Sequence, residues 1–167
     1  LIKGKRVAFV LVPSAAEPKG KRFRSGDISR AKSESDVVVV LSEQSGLLKR
    51  RLQLSREYID VGADIVIGLA GTEIEPLEIY HSKLIVPSLG GDGDPGIALE
   101  VAIDSHAKTF EFAFLPVASG TDGRVAVAVD GMRCGILKKL SEGVSNEEMQ
   151  LSVLEGRLFI GSCLESY

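Results

Sequence analysis

The sequence predicts an α/β fold with a mixed sheet, parallel in its first half and antiparallel in its second. Two apolar runs at 37–41 and 63–67 flank a segment of helical periodicity, which is the pattern of a right-handed βαβ crossover. Two later runs, 97–104 and 108–117, alternate across a short turn and therefore indicate an antiparallel hairpin. The 167 residues are long enough for one domain with a substantial core.

The predicted elements begin with a strand, a loop, a short helix and a second strand. VAFVLVP is rich in Val and Phe and ends at Pro13, as expected of a strand. AAEPKGKRFRSGD is polar and turn-forming, so it is a predicted loop, after which Asp27 or Ser29 is expected to cap a helix over 31–35. The run at 37–41 is continuously apolar, as in a parallel strand covered on both faces.

An amphipathic helix is predicted after Gly46. Its charged side chains lie opposite a broad apolar arc, and Arg51 is the exception, whose aliphatic stem is expected to lie along the boundary. Gly62 is expected to end this helix, and ADIVIG (63–68) is the next predicted strand. The apolar arc consists of Leu47, Leu48, Leu52, Leu54, Tyr58 and Ile59.

The second half continues with shorter elements. KLIVPSL (83–89) is a predicted strand, and GGDGDPG (90–96) is a predicted tight loop before the hairpin, with His106 at the hairpin turn. RVAVAVD is expected to form one more strand. Ser145 and Glu148 form a capping box, which predicts a helix that stops near Gly156, before a final strand RLFIGS.

Composition excludes several classes of protein. An apolar fraction of 44% is typical of a globular chain, and no apolar run approaches the roughly 20 residues of a membrane-spanning helix. The net charge of −3 argues against nucleic-acid binding. The chain starts at Leu1 without a methionine, and we interpret it as a processed or excised segment. Cys134 and Cys163 either pair or are two small buried thiols, and their spacing excludes zinc and haem motifs.

The order of these segments resembles a known family. SDVVVVLSEQSG, the amphipathic helix, GADIVIG, EIYHSKLIVPSLGG and a hairpin ending in FLPV are similar to the calcineurin-like metallophosphoesterases. Within that superfamily the sequence most resembles the CapA-type capsule or poly-γ-glutamate synthesis proteins and the exported 5′-nucleotidases. The similarity spans about residues 3–117. It implies a single metallophosphoesterase-like domain over 1–167 without the family's N-terminal part, and an extracytoplasmic location.

The resemblance fails at the positions of the metal ligands. Glu43 or Gln44 stands where the family has a first histidine, and 68–72 stands where it has Gly-His-x-His. Its earlier ligand motifs have no counterpart, and His81 and His106 are better explained as structural or solvated side chains. We therefore expect no metal and no cofactor. The resemblance implies a vestigial site or pocket formed by Glu43, Gln44, Ser45, Leu69, Ala70, Gly71 and Thr72.

Two loops offer weaker candidates. The cations of the first loop either contact an anion or acidic partner, or belong to a solvated loop. Asp92 and Asp94 suggest calcium, but a calcium loop needs six to eight oxygen ligands, so a glycine-rich turn is favoured. The sequence holds no Gly-x-Ser-x-Gly elbow and no Walker loop. The cations are Lys19, Lys21, Arg22 and Arg24.

Three functions remain in competition. The first is a catalytically degenerate metallophosphoesterase-like domain that acts as a binding or assembly module, with another protein or chain segment as its partner. The second is a metal-dependent phosphoesterase or 5′-nucleotidase-like hydrolase, whose remaining ligands come from a missing segment or a partner chain. The third is a flavodoxin-like small-molecule binding domain, which requires a wholly parallel sheet.

Overall fold

A computed structural model describes residues 4–14, 25–90, 95–103, 110–120, 123–144, 149–154 and 157–162. These residues form an α/β fold with three helices and ten strands, which confirms the predicted class. The elements in order are β1 (Val7–Val12), α1 (Ser25–Glu34), β2 (Val37–Ser42), α2 (Leu48–Asp60), β3 (Ile65–Gly68), β4 (Glu78–Tyr80), β5 (Lys83–Val86), β6 (Gly96–Ile103), β7 (Phe110–Ser119), β8 (Val125–Val127), α3 (Asp130–Ser141), β9 (Met149–Leu154) and β10 (Arg157–Ser162).

The contacts divide the chain into two compact units. The first contains the described residues up to Gly71 together with Leu77–Leu89, and the second contains Thr72–Pro76 together with the described residues from Gly90 onward. Strands β1 to β5 belong to the first unit and β6 to β10 to the second. The metallophosphoesterase-like identity of a single domain stays a prediction.

The first unit contains a mixed sheet in the order β1-β2-β3-β5-β4. Strands β1, β2, β3 and β5 are parallel, and β4 pairs antiparallel with β5 at the edge. This arrangement confirms the βαβ crossover, and it differs from the wholly parallel sheet that the flavodoxin-like alternative requires. Both crossover helices pack on one face, since Ile28 of α1 and Tyr58 and Ile59 of α2 join one core cluster with Val38 and Val40.

Strand β2 is buried on both faces, as its continuous apolar run predicts. Its residues Val37, Val38, Val39 and Val40 are all buried. Successive side chains of a strand point to opposite faces of the sheet, so the burial of all four valines means that other residues pack on both faces at this strand.

Helix α2 ends where the sequence predicts, and its hydrogen bonds show why. Gly62 has a φ of 121°, which an L-residue with a side chain rarely adopts. The N–H of Ala63 donates to the carbonyl of Tyr58, and the N–H of Gly62 donates to Ile59. These two bonds form a Schellman motif, which satisfies the last carbonyls of the helix.

Helix α1 begins earlier than the sequence predicts. Neither Asp27 nor Ser29 is an N-cap, because both lie inside a helix that begins at Ser25. The earlier start includes Ile28, which is fully buried in the core. Asp27 lies in the first turn, where its carboxylate interacts favourably with the helix dipole. The Ser29 hydroxyl donates to the carbonyl of Val61.

The carboxylate of Asp64 connects the helices and strands of the first unit. Asp64 is only 7% exposed, and the ammonium group of Lys32 in α1 donates to its two oxygens at 2.7 and 2.9 Å. The N–H of Val38 donates to it at 2.9 Å, and the Lys83 ammonium lies 3.4 Å away. A buried carboxylate needs such donors, so this cluster restricts where α1, β2 and β5 can lie.

Strand β4 was not predicted. It forms a two-residue hairpin with β5, in which Tyr80 pairs with Lys83. The turn residues His81 and Ser82 have φ values of 49° and 57°, the geometry of a type I′ turn. Such turns usually contain Asn or Gly, and their absence here removed the sequence signal for a hairpin.

The second unit contains an antiparallel sheet. Its order is β6-β7-β10-β9, and β8 also pairs with β7. The β6–β7 hairpin and the strands at 125–127 and 157–162 are confirmed. The sequence predicted a single mixed sheet, but the described strands form two sheets: β1 to β5 form one, with antiparallel β4 at the edge beside β5, and β6 to β10 form the other.

The helix predicted to stop near Gly156 is wrong within the described residues. Residues 149–154 form strand β9, which pairs with β10 from Met149–Ser162 to Leu154–Arg157, and 145–148 lie outside the described residues. MQLSVL alternates with a period of two, which suits a strand. The helix of this region is instead α3, where Ile136, Leu137 and Leu140 are buried.

The Asp64 cluster gives the first prediction. Asp64→Ala is expected to lower the free energy of unfolding by about 2–4 kcal/mol, because it leaves the N–H of Val38 and the Lys32 ammonium without their acceptor. Arg56→Gln removes an exposed pair with Glu78 and is expected to cost less than about 1 kcal/mol. Chemical denaturation measures both values, and equal losses would contradict the role assigned to Asp64.

Candidate functional site

Three parallel strands of the first unit end at one edge of the sheet. Val12 of β1 is the register partner of Ser42 in β2, and Ser42 is the partner of Gly68 in β3. Beyond this edge the N–H of Glu43 donates to the carbonyl of Val12 at 2.9 Å, and the N–H of Leu69 donates to Ser42 at 2.8 Å. The structure therefore brings the two predicted site segments, 43–45 and 69–71, to the same edge.

The side chain of Gln44 is engaged in the fold. Its amide nitrogen donates to the carbonyl of Pro13 at 2.6 Å, which attaches the loop after β2 to the end of β1. Ser42, just before it, is buried and hydrogen-bonded with the Tyr58 hydroxyl. Burial raises the pKa of Tyr58 above its ordinary value, so this hydroxyl stays protonated at neutral pH. Gln44 thus makes a structural contact at the position where the resemblance led us to expect a vestigial site.

Two glycines after β3 allow a close approach of the chain. A Cβ at Gly68 would overlap the carbonyl oxygen of Pro87, and a Cβ at Gly71 would overlap the side chain of Ser88. Ser88 is fully buried, so it has little room to move away. Positions 68 and 71 therefore exclude side chains of any kind, imidazoles included.

Arg51 of helix α2 forms hydrogen bonds in the same region. Its Nε donates to the carbonyl of Gly46 at 3.1 Å, and a terminal nitrogen donates to the carbonyl of Pro87 at 2.9 Å. The sequence predicted only that the aliphatic stem lies at the boundary of the apolar arc. The guanidinium in fact joins the start of α2 to the segment after β5, a contact that depends on residues distant in the sequence.

The remaining predicted site residues are more dispersed. Glu43 is half-buried, Ser45 and Ala70 are exposed, and Leu69 is 43% exposed. Thr72 belongs to the second unit. Several candidates lie outside the described residues: Lys19, Lys21, Arg22, Arg24, Asp92, Asp94, His106 and Cys163.

Potential metal ligands and membrane spans were sought in the described part of the chain. No three His, Cys, Asp or Glu side chains come together there in a group that could hold a metal ion. No helix among those residues has both the length and the apolar character needed to cross a bilayer.

Thr72 lines a groove in the second unit that the sequence did not predict. The groove has a volume of about 360 Å³ and is lined on the α3 side by Met132 and Ile136, and the Lys139 ammonium lies 3.5 Å from the Glu73 carboxylate at its rim. Its volume lies within the roughly 300–1,000 Å³ of ligand pockets. The other lining residues are Ile74, Pro95, Gly131 and Gly135.

Two glycines keep one wall of this groove open. A Cβ at Gly131 or Gly135 of α3 would meet no atom within 4 Å. Each glycine inside a helix costs about 0.5–1 kcal/mol relative to alanine, and the packing of the described residues does not require these two. Met132, Ile136 and Leu140 recur at the four-residue spacing of a helix, which is the sequence signal for α3. Gly131 and Gly135 lie beside them and weaken that signal, because glycine has a low helix propensity.

These glycines give the second prediction. Gly71→Ala is expected to lower the free energy of unfolding by about 1–3 kcal/mol, because the new methyl group overlaps the buried Ser88. Gly135→Ala is expected to raise it by about 0.5–1 kcal/mol, since it adds helix propensity and contacts nothing. Denaturation curves of the two variants test this contrast, and a neutral Gly71→Ala would show that the turn after β3 is loosely packed.

Comparison with known proteins gives one partial relationship. No protein-family model matches the chain. A stretch of 68 residues is 40% identical to the PGA biosynthesis protein CapA of Bacillus subtilis (strain 168). The match covers 38% of this chain and 18% of the length of CapA. The chain is therefore similar to CapA over this stretch, in agreement with the CapA-type resemblance of its strand–turn segments.

Proposed function

We propose that this chain is a catalytically degenerate, CapA-like metallophosphoesterase domain that acts as a binding or assembly module. The observation that supports it best is the filled carboxyl edge of the first sheet. In open α/β sheets this edge is where ligands bind. Here it is occupied by the protein's own contacts, namely Gln44 with Pro13, Arg51 with Pro87, and Gly71 with Ser88.

The described residues at this edge do not offer the ligands that a two-metal site needs. Two-metal hydrolysis requires cations about 3.5–4 Å apart, held by side chains that project from the strand ends. Positions 68 and 71 admit no side chain, and the amide of Gln44 is bonded to a carbonyl. Glu43 is the carboxylate that remains at this edge among the described residues, and one carboxylate does not hold two cations.

The groove of the second unit supports a binding role. Its apolar residues and its ion-paired rim are the combination that ligand and peptide sites use for contact area and orientation. The relative is a PGA biosynthesis protein. We extend this context to the chain as part of the proposal, with another protein or chain segment of such a system as the partner, in an extracytoplasmic location.

A combined metal and activity assay tests the loss of catalysis. The purified chain, incubated with Mn²⁺ or Zn²⁺ and then desalted, is expected to retain no stoichiometric metal and to hydrolyse no bis(p-nitrophenyl) phosphate above the buffer rate. Glu43→Gln is expected to behave identically. Retained metal with turnover that Glu43→Gln abolishes would instead establish the alternative of a metal-dependent phosphoesterase.

A second experiment tests the groove as a binding site. Gly135 lines the groove and a Cβ there meets no atom within 4 Å, so Gly135→Leu is expected to occupy part of the groove and to reduce binding of the apolar probe anilinonaphthalene sulfonate several-fold. Gly26→Leu is the matched control, because Gly26 also lies in a helix and its Cβ also meets no atom within 4 Å. Fluorescence titration measures both, and equal binding by the two variants would remove the groove from the proposal.

A further inference from the structure

We propose that the first unit docks on an anionic lipid surface through four exposed residues at the carboxyl edge of its sheet, Leu47, Leu69, Lys49 and Arg50. These four residues are called the basic edge below. Such docking involves neither catalysis nor the groove of the second unit, so it goes beyond the proposed function. Three observations carry it: the exposure of the two leucines, the excess of cations beside them, and the cost of these residue types at the start of α2.

The two leucines are exposed at the same place on the first unit. Leu47 is 82% exposed, the largest value for any large apolar side chain of the described residues, and Leu69 is 43% exposed. The carbonyl of Gly46 accepts a hydrogen bond from Nε of Arg51 at 3.1 Å. A Cβ at Gly71 would lie 3.4 Å from a terminal nitrogen of the same guanidinium. The segments that carry the two leucines therefore meet at Arg51.

Cations are in excess in these two segments. Residues 43–51 and 69–71 contain three cationic side chains but a single carboxylate, that of Glu43, which is half-buried. The net charge of the whole chain is −3, so the positive charge here is a local excess. Lys49 and Arg50 are both exposed, and neither forms an ion pair with another described residue. Their charges are therefore available to an external anionic surface, whose negative potential attracts such cations.

The fold gains no stability from these residue types at the start of α2. Leu47 is the N-cap and makes no side-chain hydrogen bond to the first turn, as Ser, Thr, Asp or Asn would. The first turn contains no acidic residue, although the positive end of the helix dipole favours carboxylates and disfavours cations. Helix α3 differs, because Val129 is also an apolar N-cap but Asp130 follows it in the first turn. Contact with an anionic surface explains the arrangement at α2, which helix stability does not.

A lipid surface fits the basic edge better than an acidic protein does. Leucine side chains enter the boundary between headgroups and acyl chains without a matching pocket, while neighbouring Lys and Arg contact anionic headgroups. An acidic protein would need a shaped cavity for each leucine in addition to its carboxylates. Each cation near an anionic bilayer strengthens binding about fivefold, so two cations and two leucines give weak, reversible docking on the surface.

Co-sedimentation of the 167-residue chain with lipid vesicles tests the role of the cations. The chain is expected to bind vesicles of phosphatidylglycerol and phosphatidylcholine, less so at high salt, and not to bind vesicles of phosphatidylcholine alone. Lys49→Gln and Arg50→Gln are each expected to weaken binding about fivefold. Lys138→Gln, which removes an exposed cation of α3, is the matched control and is expected to leave binding nearly unchanged. No binding to the phosphatidylglycerol vesicles, or equal losses for Lys49→Gln and Lys138→Gln, overturns the proposal.

A matched pair of N-cap variants tests the apolar contact. Leu47→Ser and Val129→Ser each replace an exposed apolar N-cap by a residue that caps well, so both are expected to keep or raise the denaturation midpoint. Leu47→Ser is nevertheless expected to weaken vesicle binding several-fold, and Val129→Ser is not.

Two results would contradict the apolar contact or the lipid partner. Wild-type vesicle binding by a folded Leu47→Ser overturns the proposal. Soluble poly-L-aspartate that binds the chain while the vesicles do not overturns it in favour of an acidic polypeptide. Metal retention with phosphodiester turnover would overturn the proposed function without changing vesicle binding, so the two failures are distinguishable.

Discussion

The buried carboxylate of Asp64 is the interaction on which the first unit depends. Its partners come from α1, from the start of β2 and from β5, through Lys32, the N–H of Val38 and Lys83. A buried carboxylate without donors is costly, so these elements are held where their donors reach it. This fixes the amino ends of the parallel strands relative to one another. Their lengths then bring the carboxyl ends of β2 and β3 level, with Ser42 beside Gly68.

A level carboxyl edge is the usual place for a ligand, and here the chain itself occupies it. The glycines that follow β3 have two effects at once. They remove positions from which a ligand side chain could project, and they let the segment at 87–88 approach until no Cβ fits. Arg51 then bonds the carbonyl of Pro87. The close packing of this turn leaves no room for a side chain at positions 68 and 71, which supports the proposed loss of catalysis.

Long periodic segments were predictable from the sequence, whereas elements with mixed signals were not. Helix α2 repeats its apolar residues at helical spacing, strand β2 is a continuous apolar run, and the backbone of Gly62 marks the end of α2. Helix α3 was missed because glycines interrupt its apolar spacing, and the capping-box pattern at 145–148 outweighed the alternation of β9. In the candidate site, the resemblance placed 43–45 and 69–72 together, and the parallel pairing of β2 with β3 explains why 43–45 and 69–71 lie at one edge. The bonds of Gln44 and Arg51 to proline carbonyls were not predictable, because those carbonyls are distant in sequence.

The glycines of the two units have opposite consequences for binding. In the first unit, Gly68 and Gly71 let backbone and side chains fill the space at the strand ends. In the second unit, Gly131 and Gly135 leave space beside α3 unfilled, although alanine would stabilise the helix. The exposed valines of β8 precede the same helix. Under the proposed binding role, this space and apolar surface serve contact with another molecule at some cost in stability. The proposed binding role is therefore assigned to the second unit, because the strand ends of the first unit are filled by the chain itself.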